Sequence, residues 1–190
     1  MIDIFKAGIY EKKLNINNKD LLKYLLNLKK KSEGRVVSSP TGWQSKDLPL
    51  KEKVFSKIIN EIDKNFYEYI KILSLDYNKF QIANMWCNMN AYKDFNLAHS
   101  HGDAVVSGVY YLKVPKNSGN IFFVNPSLQQ IEANWWGCIK EYTNYNSSHF
   151  CIKSIEHYLL LFPSWLSHGV QPNLNKKENR ISMSFNITKC

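Results

Sequence analysis

The sequence predicts an α+β fold that is mainly β, with helices first and a double-sheet barrel after them. Before residue 78, leucine and isoleucine recur at spacings of three and four, which is typical of amphipathic helices. From Phe80 onward the pattern changes to short apolar runs separated by turn residues such as Gly119 and Pro126. Helices followed by many short strands indicate two packed sheets with the helices outside them.

Two helices are expected in the N-terminal part. The first covers residues 21–28, where leucines cluster on one side, Asn18 or Asp20 can cap the start, and Gly34 ends the helix. The second covers residues 54–73, whose apolar side chains form one stripe. We expect this stripe to pack on the outside of a sheet.

Strands are expected on both sides of these helices. Residues 2–16 alternate loosely and predict one short strand, and residues 38–45 read as a turn-rich loop. The later apolar runs predict strands at 80–90, 96–101, 105–114, 120–124, 150–153, 157–162 and 180–187. The polar and aromatic segment 127–150, which contains Trp135 and Trp136, is expected to form a hairpin or a lid.

No internal repeat and no linker divides the sequence, so a single domain is expected over residues 1–190. Its helical part covers about 1–78 and its barrel core about 79–190. Hydrophobic residues make up 44% and charged residues 22%, which is typical of a globular protein and excludes a disordered one.

Charge and cysteine content indicate the compartment and the partners. The net charge of +9 allows an acidic or nucleic-acid partner, but the lysines are scattered, so the sequence supports this only weakly. The four cysteines show no pairing pattern, which predicts free thiols in a reducing compartment. With no signal peptide and no apolar run of the roughly 20 residues that span a bilayer, a cytoplasmic protein is expected. The sequence leaves open whether the protein forms a homodimer.

Three potential metal ligands, His99, His101 and Asp103, lie two residues apart in an extended context. On a strand, side chains at this spacing point to one face. His168 follows another apolar run and can close the site. Non-haem iron oxygenases use two histidines and usually one carboxylate on one face. Two sets therefore fit, one with His101, Asp103 and His168, the other with His99, His101 and His168.

Polar residues on neighbouring strands can bind a co-substrate beside this metal. Arg180 begins the last predicted strand with Ser182 on the same face, and an arginine binds a carboxylate through two parallel hydrogen bonds. Tyr111 can donate a further hydrogen bond to that carboxylate. An inward-facing asparagine is costly unless it is paired, so we expect Asn88 or Asn90 to face the co-substrate.

Several motifs resemble those of the 2-oxoglutarate–iron(II) oxygenases, in particular a small subgroup from marine bacteria and tailed phages. They extend over nearly the whole chain: Gly42-Trp43-Gln44-Ser45, Trp86-x-Asn88, His99-x-His101, Ser107-Gly108-Val109-Tyr110-Tyr111-Leu112, Phe162-Pro163-Ser164-Trp165-Leu166-x-His168 and Arg180-Ile181-Ser182. The resemblance implies a double-stranded β-helix core, also called a jelly roll or cupin-like fold, with helices packed on one sheet. It also implies Fe(II) as metal, and O₂ and 2-oxoglutarate as co-substrates. The 2-oxoglutarate would be converted to succinate and CO₂, coupled to hydroxylation of an unidentified substrate. A phage-encoded protein in a bacterial host fits this subgroup.

The sequence departs from the wider family at two places. In the family, inward-facing residues commonly precede the first metal histidine, and Asn90 and Asn96 hold those places relative to His99. That alignment puts His101 where the family carries an acid. The plain H-x-D pattern instead makes His101 the first ligand and Asp103 the acid. His157 stands where the family has a glycine before an apolar strand, so that turn is expected to differ.

Two other functions are compatible with these residues. One is a non-catalytic jelly roll that holds a metal and binds an acidic or nucleic-acid partner. The other is a three-histidine dioxygenase that uses no 2-oxoglutarate. Arg180 disfavours the three-histidine dioxygenase, because such a site needs no anchor for a carboxylate.

Overall fold

Two antiparallel sheets pack face to face in the computed structural model, which describes Ile2, residues 6–76 and residues 80–190. The larger sheet has six strands in the order β1-β8-β5-β10-β3-β2, and the smaller has four in the order β4-β9-β6-β7. The strands are β1 (Tyr10–Lys13), β2 (Trp43–Gln44), β3 (Phe80–Asn90), β4 (Asn96–His99), β5 (Val106–Lys113), β6 (Ile121–Val124), β7 (His149–Ile152), β8 (Tyr158–Pro163), β9 (His168–Val170) and β10 (Arg180–Lys189).

The described residues form three α-helices beside the sheets: α1 (Lys19–Lys31), α2 (Ser56–Ile72) and α3 (Leu128–Trp135). A short 3₁₀ turn at Lys53–Phe55 leads into α2, and another at Trp136–Cys138 follows α3. No helix in the described ranges is both long and apolar enough to cross a bilayer.

The two faces of the larger sheet have different characters because side chains alternate along each strand. On β10, Ile181 and Met183 point to the outer face, where α1 and α2 cover them in the larger apolar core. Arg180 and Ser182 point to the inner face, toward the smaller sheet. The same strand therefore contributes both to the core and to a polar cavity between the sheets.

The amphipathic stripe of α2 fixes the helices on the outer face. Its buried side chains include Ile58, Ile62 and Phe66, which share one apolar cluster with Leu25 of α1 and Met85 of β3. A second, smaller apolar cluster fills part of the space between the sheets and includes Val109, Phe123 and Phe162. The helical placement expected from the stripe is confirmed.

The predicted strands after residue 80 are all present, with ends that differ by a few residues. Two segments differ in type. The expected loop at 38–45 contains β2, whose two residues are too few to show an alternating pattern. The expected hairpin or lid at 127–150 begins with α3 and has a strand only from His149. The N-terminal strand occupies Tyr10–Lys13, and part of its predicted range lies outside the described residues.

The turn before β8 places His157, where the family has a glycine, in a backbone conformation that glycine adopts readily. This residue has a φ of 69°, in the left-handed region that glycine adopts most readily. Its backbone N–H donates to the carbonyl of Tyr111 and its carbonyl accepts from Leu14, which holds the conformation in place. All four cysteines are free, as the sequence predicted, with Cys87 buried and the others exposed.

Replacing Ile62 by alanine tests the attachment of α2 to the larger sheet. Ile62 is 0% exposed, so Ile62→Ala is expected to lower the free energy of unfolding by about 2–5 kcal/mol. Ile72, on the same helix, is 74% exposed, so Ile72→Ala is expected to change it by less than about 0.5 kcal/mol. Equal effects of the two changes in urea denaturation would contradict this packing.

Candidate metal and co-substrate site

Three histidines converge at one end of the cavity between the sheets. Adjacent strands of the smaller sheet pair His99 of β4 directly with His168 of β9. His101 follows β4, and its backbone N–H donates to the carbonyl of Ser164 at 3.0 Å. A ring nitrogen of each histidine lies within 4.8 Å of the other two. This spacing suits three ligands of one metal ion.

Backbone carbonyls fix the tautomers of two of these rings. Nδ1 of His99 lies 2.8 Å from the carbonyl oxygen of Leu97, and Nδ1 of His168 lies 2.9 Å from that of Leu166. A carbonyl oxygen only accepts hydrogen bonds, so each Nδ1 carries the proton. In a neutral ring this leaves the lone pair of Nε2 available to a metal, with the ring held in orientation.

Burial lowers the pKa of two of the three histidines. The pKa of His168 falls to about 3, chiefly through loss of solvation; the hydrogen bond to Leu166 opposes this change, and the nearby His99 and His101 add to it. Burial together with the neighbouring His99 lowers the pKa of His101 to about 4. Both rings are therefore neutral near pH 7, which is the form that binds metals.

Asp103 lies outside this group. It is exposed in a turn with Gly102, and the group of mutually close ligand atoms contains the three histidines without it. The spacing in the sequence assumed a strand through residue 103, but β4 ends at His99 and the chain then turns. Of the two alternative sets, the structure brings together the all-histidine one.

The Arg180 guanidinium lines the same cavity. Arg180 is 1% exposed, and its Nη1 donates to the carbonyl oxygens of Ser118 and Gln171. Its Nη2 and the hydroxyl of Tyr111 are buried with no hydrogen-bond partner in the described part of the chain. A buried, unpaired charged donor is costly. The pair of free donors suits a carboxylate.

The electrostatic environment keeps the Tyr111 hydroxyl as a donor. Burial raises the pKa of Tyr111, while the neighbouring Ser154 hydroxyl and the Arg180 guanidinium act in the opposite direction. Burial lowers the pKa of Arg180, against the effects of Tyr111 and Asp94. Since arginine stays protonated in proteins, an anion at this end of the cavity would meet a cation and a hydroxyl proton.

The remaining predicted residues line the cavity as well. Asn88 donates to the hydroxyl of Ser184 at 3.0 Å, and Asn90 donates to Oδ1 of Asn96 at 3.3 Å. The side-chain oxygens of Asn88 and Asn90 are buried without a partner among the described residues. Ser182 lies between Asn88 and Tyr111 in the register of the sheet.

Ser38 and Ser184 are polar cavity residues that were not among the predicted site residues. Ser184 continues the alternation from Arg180 and Ser182, so the strand pattern contained the signal for it. Ser38 belongs to an irregular segment and reaches the cavity because its carbonyl accepts from Leu97 of β4. No local sequence pattern predicts that contact.

The fold and the site together define a class, that of non-haem iron oxygenases on two facing antiparallel sheets. Among curated proteins, no sequence matches this chain. A family model described as "Putative 2OG-Fe(II) oxygenase" matches residues 84–186, more than half of the chain. The chain belongs to this family of 2-oxoglutarate–iron(II) oxygenases, whose cofactor is Fe(II) and whose co-substrate is 2-oxoglutarate.

Solved structures with low sequence identity share the fold. A prolyl-4-hydroxylase from Pseudomonas putida matches with a TM-score of 0.66 and 12% identity over 97% of this chain and 94% of that one. HygX from Streptomyces hygroscopicus, with nickel and 2-oxoglutarate bound, matches with a TM-score of 0.64 and 11% identity over 96% and 83%. The viral collagen prolyl hydroxylase of Paramecium bursaria Chlorella virus-1, in complex with 2-oxoglutarate, gives 0.62 and 14% over 94% of each chain. These likenesses confirm the double-stranded β-helix.

Metal binding by two alanine variants distinguishes the two ligand sets. We expect His99→Ala to weaken Co(II) binding by at least about tenfold, because a ligand is lost from a three-ligand site. Asp103→Ala should bind Co(II) within about twofold of wild type, because surface changes away from a site have little effect. Anaerobic calorimetry measures both. The reverse order of effects would place Asp103 in the ligand set.

Proposed function

We propose that this chain is a hydroxylase that holds Fe(II) with His99, His101 and His168 and binds 2-oxoglutarate with Arg180 and Tyr111. One observation supports this most strongly. Three histidine side chains, whose ring nitrogens lie within 4.8 Å of one another, and an unpaired guanidinium donor line the same cavity. When bound, Fe(II) and 2-oxoglutarate supply an oxidising reaction with O₂ in which succinate and CO₂ form and the substrate gains a hydroxyl group.

The three histidines hold the metal in a fixed geometry. His99 and His168 lie on paired strands, and their Nδ1–H groups are anchored on carbonyls of the chain. His101 is fixed through its own backbone and packs against the ring of Trp86 at 5.9 Å. The three histidines would hold Fe(II) from one end of the cavity, and an iron oxygenase needs further positions for its co-substrates.

Arg180 and Tyr111 orient the 2-oxoglutarate. Nη2 of Arg180 and the hydroxyl of Tyr111 would donate to the carboxylate of 2-oxoglutarate that is distant from the metal. Ser182 lies two residues after Arg180 on β10 and pairs with Tyr111 of β5, so its side chain lies on the same face of the sheet. Charge-assisted hydrogen bonds of this kind are about twice as strong as neutral ones. Because Nη1 is already held by two carbonyls, the guanidinium is oriented before the anion arrives.

Aromatic side chains exclude water from the metal side of the cavity. The Phe162 ring packs edge-on against His168 with centroids 4.6 Å apart, and Phe123 lies behind both. A water-poor site strengthens electrostatic interactions and protects reactive species from side reactions. These contacts are consistent with oxidation of an unreactive C–H bond.

Hydroxylation is the reaction that the structural neighbours favour. Two of them are prolyl hydroxylases by name, and they share with this chain the fold and a similar length. A three-histidine dioxygenase without 2-oxoglutarate is the second candidate, and the all-histidine set favours it. The unpaired donors of Arg180 and Tyr111 disfavour it, since nothing in that reaction would use them.

Removing the hydroxyl of Tyr111 tests the proposed 2-oxoglutarate site with little risk to the fold. We expect Tyr111→Phe to raise the KM for 2-oxoglutarate roughly tenfold, since one hydrogen bond to a charged group is lost. The melting temperature of the ligand-free protein should be unchanged or slightly higher, because the deleted hydroxyl is buried and unpaired.

The matching assay follows succinate formation from 2-oxoglutarate under O₂, with and without Fe(II). Wild-type protein should form succinate only with Fe(II), and Arg180→Lys should lose most of this activity because a single ammonium cannot replace the guanidinium fork. Wild-type protein that loads with Fe(II) but neither binds nor consumes 2-oxoglutarate would support the three-histidine alternative instead.

A further inference from the structure

Only two arginines occur in the chain, although its basic residues number 25. One is Arg180, deep in the cavity. The other is Arg35, whose side chain is 34% exposed and belongs to the segment that leads to Ser38 at the cavity wall. All other basic residues are lysines, and Arg35 lies over the ring of Trp86, which lines the same cavity as Arg180.

A continuous row of cross-strand pairs connects Arg35 to the cavity. The pairs are Arg35 with Gln44, Gln44 with Asn88, Asn88 with Ser182 and Ser182 with Tyr111. Directly opposed residues on neighbouring strands present their side chains on the same face of a sheet. All five side chains therefore lie on the inner face, and the row continues from the cavity residues Tyr111, Ser182 and Asn88 to the sheet edge at Arg35.

Most members of this row have a polar atom with no partner. Among the described residues, the buried unpaired atoms include Nε of Arg35, Oε1 of Gln44, Oδ1 of Asn88 and the hydroxyl of Tyr111. Native proteins leave few such atoms, and each needs an explanation. Tyr111 is explained by 2-oxoglutarate. Farther along the row, Nε of Arg35 lacks an acceptor, which an oxyanion would supply, and Oε1 of Gln44 lacks a donor, which a hydroxyl or amine of the same ligand would supply.

Arg35 is held in a position suited to anion binding near the metal ligands. Its guanidinium carbon lies 5.8 Å from the centre of the Trp86 ring, and that ring lies 5.9 Å from His101. Nη2 is paired with Asp47 at 2.9 Å, which fixes one end of the group and leaves other donors available. Stacked guanidinium groups are well suited to carboxylate and phosphate recognition.

We propose that Arg35 binds an oxyanion, a carboxylate or a phosphate, of the primary substrate. This inference rests on the proposed function of the site as a 2-oxoglutarate oxygenase. Arg180, which is 1% exposed, would bind the co-substrate, and Arg35, whose side chain is 34% exposed, would bind the primary substrate. The substrate would then lie over Trp86, beside His101, with a hydrogen-bond donor of the substrate near Oε1 of Gln44. The net charge of +9 also favours a substrate that carries negative charge.

Nuclear magnetic resonance of protein labelled with ¹⁵N at arginine Nε tests both assignments, because only two side-chain Nε–H signals exist. The protein is loaded with Zn(II) as a diamagnetic metal, and Arg35→Lys identifies the signals by removing one. We expect 2-oxoglutarate to shift the Arg180 signal. Acetate or inorganic phosphate, added afterwards at constant ionic strength, should shift the Arg35 signal to saturation. The more effective of the two anions distinguishes a carboxylate substrate from a phosphate.

Two further variants separate specific recognition from general surface charge. Asp47→Asn frees Nη2 of Arg35 and should tighten anion binding roughly threefold, in line with the strength of an exposed ion pair. Lys46→Ala removes a nearby exposed charge and should leave the titration unchanged. An Arg35 signal that neither anion moves overturns the inference. So does a Lys46→Ala variant whose anion affinity, measured on the Arg35 signal, is clearly weaker than that of the wild type, because general surface charge would then explain the binding. An Arg180 signal that 2-oxoglutarate does not move overturns the proposed function instead.

Discussion

The burial of an incompletely paired guanidinium between two sheets is the constraint on which the rest of this structure depends. Arg180 is 1% exposed and binds two backbone carbonyls, yet its Nη2 has no partner in the described chain. An unmatched buried donor of this kind costs about 1–3 kcal/mol, and more when it is charged. A bound carboxylate removes that cost, so stability and co-substrate binding are coupled at this residue.

The two sheets contribute different residues to the site. The larger sheet is fixed from outside by α2 and the apolar core, so its inner face can carry polar residues at the positions of Arg180 and Tyr111. The smaller sheet brings His99 and His168 together by strand pairing. Three neutral imidazoles leave the charge of a divalent ion uncompensated, and a dianionic co-substrate compensates it. Metal and 2-oxoglutarate should therefore each strengthen the binding of the other.

Much of this could be predicted from the sequence because the relevant patterns are periodic. The stripe of α2 and the alternation from Arg180 to Ser182 each follow from one element alone. The choice between His99 and Asp103 could not be made that way, since it depends on where β4 stops pairing with β9 and the chain turns. The position of Arg35 on the inner face depends on a single bridge to Gln44, which local sequence does not specify.

A crystal structure obtained without oxygen, with Fe(II) and 2-oxoglutarate bound, tests the central claim most directly. We expect iron bonded to Nε2 of His99 and of His168 and to a ring nitrogen of His101, at roughly the 2.1 Å that separates imidazole nitrogen from a divalent metal such as zinc. The distant carboxylate should lie within hydrogen-bond distance of Nη2 of Arg180 and the hydroxyl of Tyr111. Iron bonded to Asp103 would contradict the all-histidine ligand set, and a carboxylate bound away from Arg180 would contradict the proposed 2-oxoglutarate site.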